Sequence, residues 1–236
     1  MERPTINLTQ DEAMRRFTAP IPIFALAALS ICATADAEAA KPKDITSTAS
    51  YKMSVSLFKE LTAHRDIVML GDSLTARGAW TELTQSSSIA NRGIGGDTTA
   101  GILSRLDPII LMKPKAIFIM AGINDLGRNI PPSEITTNYI AIIERLSTPN
   151  QKIYIQSTLY TSRKSRLANN DLITIINTQM SSYCQTSEKC EYIDLNKTMS
   201  SNKKINKQNT GDGIHLTGNG YITWSKAIAP YIPDKR

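Results

Sequence analysis

Histidine is nearly absent from this chain of 236 residues, which has two, His64 and His215. Cysteine is also scarce, at three residues. No close His/Cys/Asp cluster joins them in sequence, so there is no ligand set for a metal such as zinc, and no metal or other cofactor is expected. Aromatic residues make up 6% of the total, and the lysines and arginines are scattered. That leaves no stacking platform and no basic stripe, so nucleic acid is not an expected partner. There is no repeat or low-complexity tract, and a composition of 41% hydrophobic and 20% charged residues fits one well-cored domain better than two small ones.

Long apolar runs are lacking too. The most extended uncharged, largely apolar stretch, 21–33, is short for a bilayer-spanning helix and reads as the apolar centre of a secretory leader. Arg15 and Arg16 precede it, and Ala33-Thr34-Ala35-Asp36-Ala37-Glu38-Ala39 follows with several small-x-small cleavage sites. Residues 1–39 are therefore expected to be a signal peptide that directs the protein to the bacterial periplasm or the exterior. Residues 1–13 make an unusually long and partly acidic start, whereas Met14 begins a compact leader. Leu29-Ser30-Ile31-Cys32 differs from a lipobox in the bulky Ile before the cysteine. Asp36 and Glu38 cut short any uncleaved anchor, so no stable membrane insertion is expected after leader removal. Residues 40–63 read as a lead-in segment and 64–236 as the working domain.

Cleavage after Ala39 leaves 24 basic and 16 acidic residues, a net charge of +8. Such a surface suits an anionic envelope or polysaccharide. Cleavage also leaves Cys184 and Cys190 as an even pair. In an oxidising compartment they are expected to form a disulfide if their Cα atoms come within about 7 Å; two free thiols flanking a turn are the alternative.

From residue 66 onward, short apolar runs alternate with segments of helical period, the pattern of βα units around a parallel sheet. Strands are expected at Asp66 to Leu70, Ser88 to Arg92, Ala116 to Met120, Lys152 to Ser157 and Tyr192 to Leu195. Helices are expected at Thr98 to Leu111, with Ile102, Leu103, Leu106, Ile109 and Ile110 at core spacing, and from Pro132, with Ile135, Tyr139, Ile140, Ile142, Ile143 and Leu146 as its stripe. Asn170 to Tyr183 and Gly218 to Ile232 supply two more.

Four short clusters stand out against this background: Gly71-Asp72-Ser73-Leu74-Thr75, Asn91-Arg92-Gly93-Ile94-Gly95-Gly96-Asp97, Gly122-Ile123-Asn124-Asp125 and Asp212-Gly213-Ile214-His215. The first offers a hydroxyl just past a strand, and the second and third offer hydrogen-bond donors. The last offers an imidazole with a carboxylate three residues before it. A serine hydroxyl attacks an acyl carbon only with a base to take its proton and donors to receive the oxyanion. Ser73 is the candidate nucleophile, His215 the base and Asp212 its orienting carboxylate, with Gly96 and Asn124 as oxyanion donors. His64 lies in a polar stretch and reads as surface. Each cluster also has an ordinary reading. Gly-Asp-Ser is a common turn and helix N-cap, a loop histidine is often structural, and the glycines can form a plain turn or an anion nest. Neither Gly-x-Gly-x-x-Gly nor a P-loop pattern is satisfied, and Thr75 stands where a Gly-x-Ser-x-Gly elbow has its second glycine.

Taken in order and spacing, the four blocks resemble the GDSL or SGNH hydrolases over residues 64–232. The resemblance implies an α/β fold, a three-layer α/β/α sandwich with a five-stranded parallel sheet in the flavodoxin-like manner. It also implies Ser73, His215 and Asp212 as a catalytic triad, and the Ser73 amide, Gly96 and Asn124 as the oxyanion hole. The stretch from Asn91 to Thr98 and the run His215-Leu216-Thr217-Gly218-Asn219-Gly220-Tyr221 look most like the branch with platelet-activating-factor acetylhydrolase catalytic subunits and bacterial carbohydrate acetylesterases. An exported serine esterase acting on a small ester or an acylated carbohydrate is thus expected. Leu74 and Ile214, beside the candidate nucleophile and base, are placed to wall a short acyl pocket or to serve as filler. A lysophospholipase or thioesterase is the runner-up, and a non-catalytic carbohydrate-binding or envelope protein is the alternative from another class.

Overall fold

The computed structural model describes residues 44–162 and 169–233; the expected leader, with Met14 and Cys32, lies outside them. Along the chain come α1 (Ala49–Glu60), β1 (Ile67–Gly71), α2 (Ser73–Ala76), α3 (Trp80–Thr84), β2 (Ile89–Gly93), α4 (Thr99–Leu103), α5 (Asp107–Met112) and β3 (Ala116–Met120). Then follow α6 (Ile123–Gly127), α7 (Pro132–Leu146), β4 (Lys152–Gln156), α8 (Asn170–Thr186), β5 (Glu191–Ile193) and α9 (Asn196–Met199). A two-strand ribbon, β6 (Ser200–Ser201) and β7 (Lys204–Ile205), leads to α10 (Gly218–Ile228).

Strands β1 to β5 form one sheet in the order β2-β1-β3-β4-β5, with every pairing parallel. This is the flavodoxin-like order, in which the chain leaves β1 toward one edge and returns on its other side at β3. Successive residues of a strand face opposite sides, and the two cores follow that alternation. Val68, Leu70, Ile117, Ile119, Ile153 and Ile155 pack with Ile102, Ile109, Ile135, Ile142, Ile143, Ile173 and Ile176 from α4, α5, α7 and α8. Ile67, Met69, Phe118 and Tyr154 pack on the other face with Trp80, Leu195, Met199, Trp224 and Ile228 from α3, α9 and α10. The result is a three-layer α/β/α sandwich with an aliphatic side and an aromatic side.

The helix expected over Thr98 to Leu111 is two helices, α4 and α5. Pro108 has no N–H to donate and disfavours helical backbone at the residue before it, so the chain breaks and restarts with the proline in the first turn of α5. The restart turns Ile110 outward, to 39% exposure, and Leu111 to 65%, so Ile110 is not a core residue. The last helix likewise stops at Ile228, with a 3-10 turn at Ala229–Tyr231 that contains Pro230. Sequence periodicity also overlooked α1. Its Tyr51 is buried and donates to the carbonyl of Gly101 at 2.7 Å, and its Phe58 ring lies 4.8 Å from the Arg92 guanidinium. Cys184 and Cys190 are joined by a disulfide, with their Cα atoms 5.1 Å apart, across the α8–β5 connection.

Candidate active site

Strands β2, β1 and β3 lie side by side, so the loops leaving their carboxyl ends share one rim of the sheet. Just past those ends come Gly96 in a turn, Ser73 opening α2 and Asn124 in the first turn of α6. The turn after β1 is tight. A Cβ on Gly71 would stand 2.4 Å from the Met120 carbonyl oxygen and 2.3 Å from Thr75 Oγ1, so a side chain there has no room. Asp72 caps α2 by accepting from the Leu74 amide at 2.9 Å, which sets Ser73 at the first position of a helix with its hydroxyl partly exposed. The far end of α2 is fixed as well. Asn91 Nδ2 lies 3.1, 3.0 and 3.2 Å from the carbonyls of Thr75, Ala76 and Gly78, and the Tyr221 hydroxyl donates to the Leu74 carbonyl at 2.8 Å.

Across 142 residues of sequence, the Ser73 hydroxyl lies 3.3 Å from His215 Nε2. The other ring nitrogen, Nδ1, lies 2.8 Å from Asp212 Oδ2, while Asp212 Oδ1 accepts from the amides of His215 at 2.7 Å and Ile214 at 2.9 Å. The ring N–H given by His215, with those amides, holds the Asp212 carboxyl well below the usual carboxylate range despite slight desolvation. Thr210 secures the turn by donating its hydroxyl to the His215 carbonyl at 2.8 Å and accepting from the Gly213 amide at 3.0 Å. His64 is elsewhere, against the Met112 carbonyl and Asp66.

Asn124 and Gly96 join the same rim through backbone and carboxylate contacts. Asn124 Nδ2 donates to Asp72 Oδ2 at 3.2 Å and to the Asp97 carbonyl at 3.1 Å. Gly96 sits in the turn after β2 with φ of +77°, left-handed backbone that favours glycine, and the Ile94 amide in that turn donates to the Gly71 carbonyl at 3.1 Å. A Cβ at Gly96 would meet Ile45 Cδ1 at 3.3 Å, so the lead-in segment borders the rim. Arg105 ties Asp97 to the first turn, with Nε 2.8 Å from Asp97 Oδ2 and Nη2 3.1 Å from the Gly71 carbonyl.

The structure thus brings Ser73, His215 and Asp212 into direct series and links Asn124 and the Gly96 turn to them. Leu74 is buried in the aromatic-side core with Trp80, and Ile214 is buried beside His215. The supports at Asp72, Asp97 and Arg105 escaped sequence reasoning, although two of the three lie inside the quoted clusters. Burial pushes Asp72 up to about 7 and Asp97 up to about 6, and it raises Asp125, which accepts from the Thr99 amide and hydroxyl. A hydroxyl, an imidazole and a carboxylate in this order can move a proton off the alcohol as it attacks an acyl carbon.

The family model described as GDSL-like lipase/acylhydrolase matches residues 69–221. Platelet-activating factor acetylhydrolase IB subunit alpha2 of Rattus norvegicus is 27% identical over 175 residues, covering 69% of this chain and 74% of its own length. N-acylneuraminate cytidylyltransferase of Streptococcus agalactiae serotype V is 27% identical over 150 residues, or 64% of this chain, which spans about a third of that relative (34%). A solved structure from Streptococcus pneumoniae, described as a platelet activating factor, superposes with a TM-score of 0.73 at 25% identity over 77% of this chain and 92% of that one. The chain belongs to the GDSL-like lipase/acylhydrolase family.

Proposed function

We propose that the protein is an exported esterase that removes acetyl or other short acyl groups, with acylated carbohydrate as its substrate. Ser73 is the nucleophile, His215 the base and Asp212 its orienting carboxylate. The amides of Ser73 and Gly96 and the side chain of Asn124 are the oxyanion donors. The observation that carries the reading is the series from Ser73 Oγ through His215 to Asp212, with separations of 3.3 Å and 2.8 Å.

In the first half-reaction His215 Nε2 accepts the hydroxyl proton as Ser73 Oγ bonds to the acyl carbon, and the carbonyl electron pair moves to oxygen. The resulting imidazolium, stabilised by Asp212, gives its proton to the leaving alcohol as the ester C–O bond breaks. Water then attacks the acyl-serine with His215 again as base, the acid departs, and Ser73 recovers its proton. Each oxyanion donor contributes about 3 kcal/mol to the transition state.

The short-acyl preference draws on the acetylhydrolase relative and on Ile214 beside the base; Leu74, packed in the core with Trp80, serves as filler rather than as an acyl-pocket wall. The carbohydrate half draws on the relative named for an N-acylneuraminate, a sugar acid, and on the basic surface left by leader removal. Export draws on the leader and on the Cys184–Cys190 disulfide, a bond that persists in oxidising compartments.

A panel of acetylated glycans, p-nitrophenyl acetate and decanoate, and lysophospholipids, run on mature protein beside Ser73→Ala, tests the proposal. Acetyl esters should be hydrolysed fastest, and Ser73→Ala should lose at least about 10⁴-fold in kcat together with fluorophosphonate labelling. Preference for decanoate or lysophospholipid reassigns the substrate to a long-chain ester or lipid. Folded wild-type protein that takes no fluorophosphonate overturns the catalytic reading in favour of a binding protein.

A further inference from the structure

Between α4, α6 and α7, beside the Gly96 turn, lies a cavity of about 360 Å³, within the size range of a small-molecule site. Arg128 connects it to the rim. Its Nη1 donates to the Asn124 carbonyl at 3.1 Å, its Nη2 lies 3.9 Å from where a Cβ on Gly96 would stand, and its side chain lines the cavity. A substrate held at the Gly96 turn therefore has space beside it, past Arg128, for the rest of the molecule.

One wall comes from the lead-in segment. Asp44 lines the cavity and caps the 3-10 turn Ile45–Ser47 by accepting from the Thr46 amide at 3.0 Å, and Ile45 borders Gly96. These residues precede residue 69, where the match to the family model begins, so the wall is built outside the matched stretch. The lining selects among occupants. Ala100 and Ile130 are apolar, Asp44 and Glu134 bring carboxylates, and Arg128 brings Nη2 as a donor. Asn138 gives its Nδ2 to Thr99 Oγ1 at 3.1 Å, which leaves its carbonyl oxygen as an acceptor. A long acyl chain there would strip water from charged groups and give them no partner. An anionic ligand would meet Asp44 and Glu134 for one guanidinium. A neutral sugar matches both kinds of surface, since its hydroxyls donate and accept while the C–H face of its ring is apolar.

We propose that this cavity is a sugar subsite: it holds an uncharged sugar ring whose O-acetyl group lies at Ser73, with Asp44, Arg128, Glu134 and Asn138 bonding to the ring hydroxyls. The inference rests on the esterase reading above and adds where the carbohydrate sits and which charge it carries. Charged units of a longer glycan would lie outside the cavity, against the basic surface.

The test varies the alcohol and the acyl chain at one nucleophile. The substrates are mono-O-acetyl esters of glucose, xylose and N-acetylglucosamine, the mono-O-acetyl ester of N-acetylneuraminate, p-nitrophenyl acetate and p-nitrophenyl decanoate. Wild type should cleave at least one neutral sugar ester faster than the acidic one. Ala100 lines the cavity from an exposed position on α4, so Ala100→Trp plugs the space without entering the core. It should lower kcat/KM on the best neutral sugar ester roughly 10- to 100-fold and change that on p-nitrophenyl acetate by less than about twofold. Glu134→Ala should raise KM for the sugar ester roughly three- to tenfold at unchanged kcat. No loss on the sugar ester in Ala100→Trp, or an equal loss on every ester, overturns the proposal. Loss confined to the decanoate overturns it in favour of an acyl-chain site, and faster cleavage of the neuraminate ester overturns it in favour of an anionic ligand. Should Ala100→Trp fail to fold, Glu134→Ala decides, and a wild-type KM overturns the subsite. Ser73→Ala separates the two levels. If it keeps wild-type hydrolysis, the esterase reading falls and the subsite with it; if wild type cleaves p-nitrophenyl acetate but none of the neutral sugar esters, only the subsite falls.

Discussion

Ser73 and Asn124 stand just past strand ends, whereas His215 and Asp212 stand on a loop, and different forces hold the two pairs. Beneath the first pair lies a polar layer of Asp72, Asp97, Arg105, Asp125 and Thr99, all buried, in which Arg105 bonds to Asp97, Thr99 to Asp125, and Asn124 to Asp72. The second pair is half in water, with side chains 31% exposed for His215 and 46% for Asp212, and is shaped by local turns around Thr210 and Gly213. On the buried side, positioning and folding are the same interactions. On the exposed side the geometry is local, so chemistry can be removed without touching the core.

Asp212→Asn is the sharpest probe of that contrast. It keeps the side-chain shape but loses the carboxylate that fixes the imidazole tautomer, so kcat should fall about 10⁴-fold while the melting temperature changes by no more than about 2 °C, the range of a surface substitution. A large loss of stability in this variant breaks the comparison.

Arg105→Met tests the other side. Arg105 and Asp97 form a pair 2.7 Å apart with both side chains almost wholly buried, and removing one partner strands a charge in the core. Stability should drop by about 3–5 kcal/mol, lowering the melting temperature by roughly 10 °C in calorimetry. A melting point within about 2 °C of wild type would mean that the polar layer is not what holds the rim.

The disulfide is expected to lie outside both groups. Changing Cys184 and Cys190 to serine together opens a loop with a sequence separation of 6 and should cost roughly 2 kcal/mol of stability. The kcat on p-nitrophenyl acetate should stay at the wild-type value, and a marked fall would show coupling from the α8–β5 edge to the rim.

A further effect is one of pH. Burial raises Asp72 to about 7 and Asp97 to about 6, from an ordinary 3.8. The folded chain therefore holds protons that the unfolded chain has released. Stability falls as pH rises from about 4 to about 7 and levels off above that, by at most about 1.4 kcal/mol per pH unit for each group. Asp212, shifted down, acts below this window. Melting temperatures between pH 4.5 and 8 should decline, and a rise across that range would sink the assignment of these carboxyls to a dry layer.

Much of this was legible in the residues themselves. The β3 strand from Ala116 to Met120 is a continuous apolar run, and such a run is what a strand covered on both faces requires. The helix of Pro132–Leu146 repeats its isoleucines at the helical period. Ser73, His215, Asp212 and Asn124 could be picked out because ester chemistry demands those functional groups. Helix α1 was not legible, because its buried contacts, Tyr51 to Gly101 and Phe58 to Arg92, join residues far apart in sequence. The outward turn of Ile110 was missed for another reason. Pro108 breaks the periodicity on which the expected face depended.

By itself, the sequence determined the five strands, the long helices between them and the set of reacting groups, since period and functional group are properties of a residue and its near neighbours. Tertiary structure alone decided that Ser73 meets His215 across 142 positions and that Asp72 spends its second oxygen on Asn124. Those contacts depend on β2, β1 and β3 lying side by side, an outcome of packing two apolar faces that no local stretch of chain encodes.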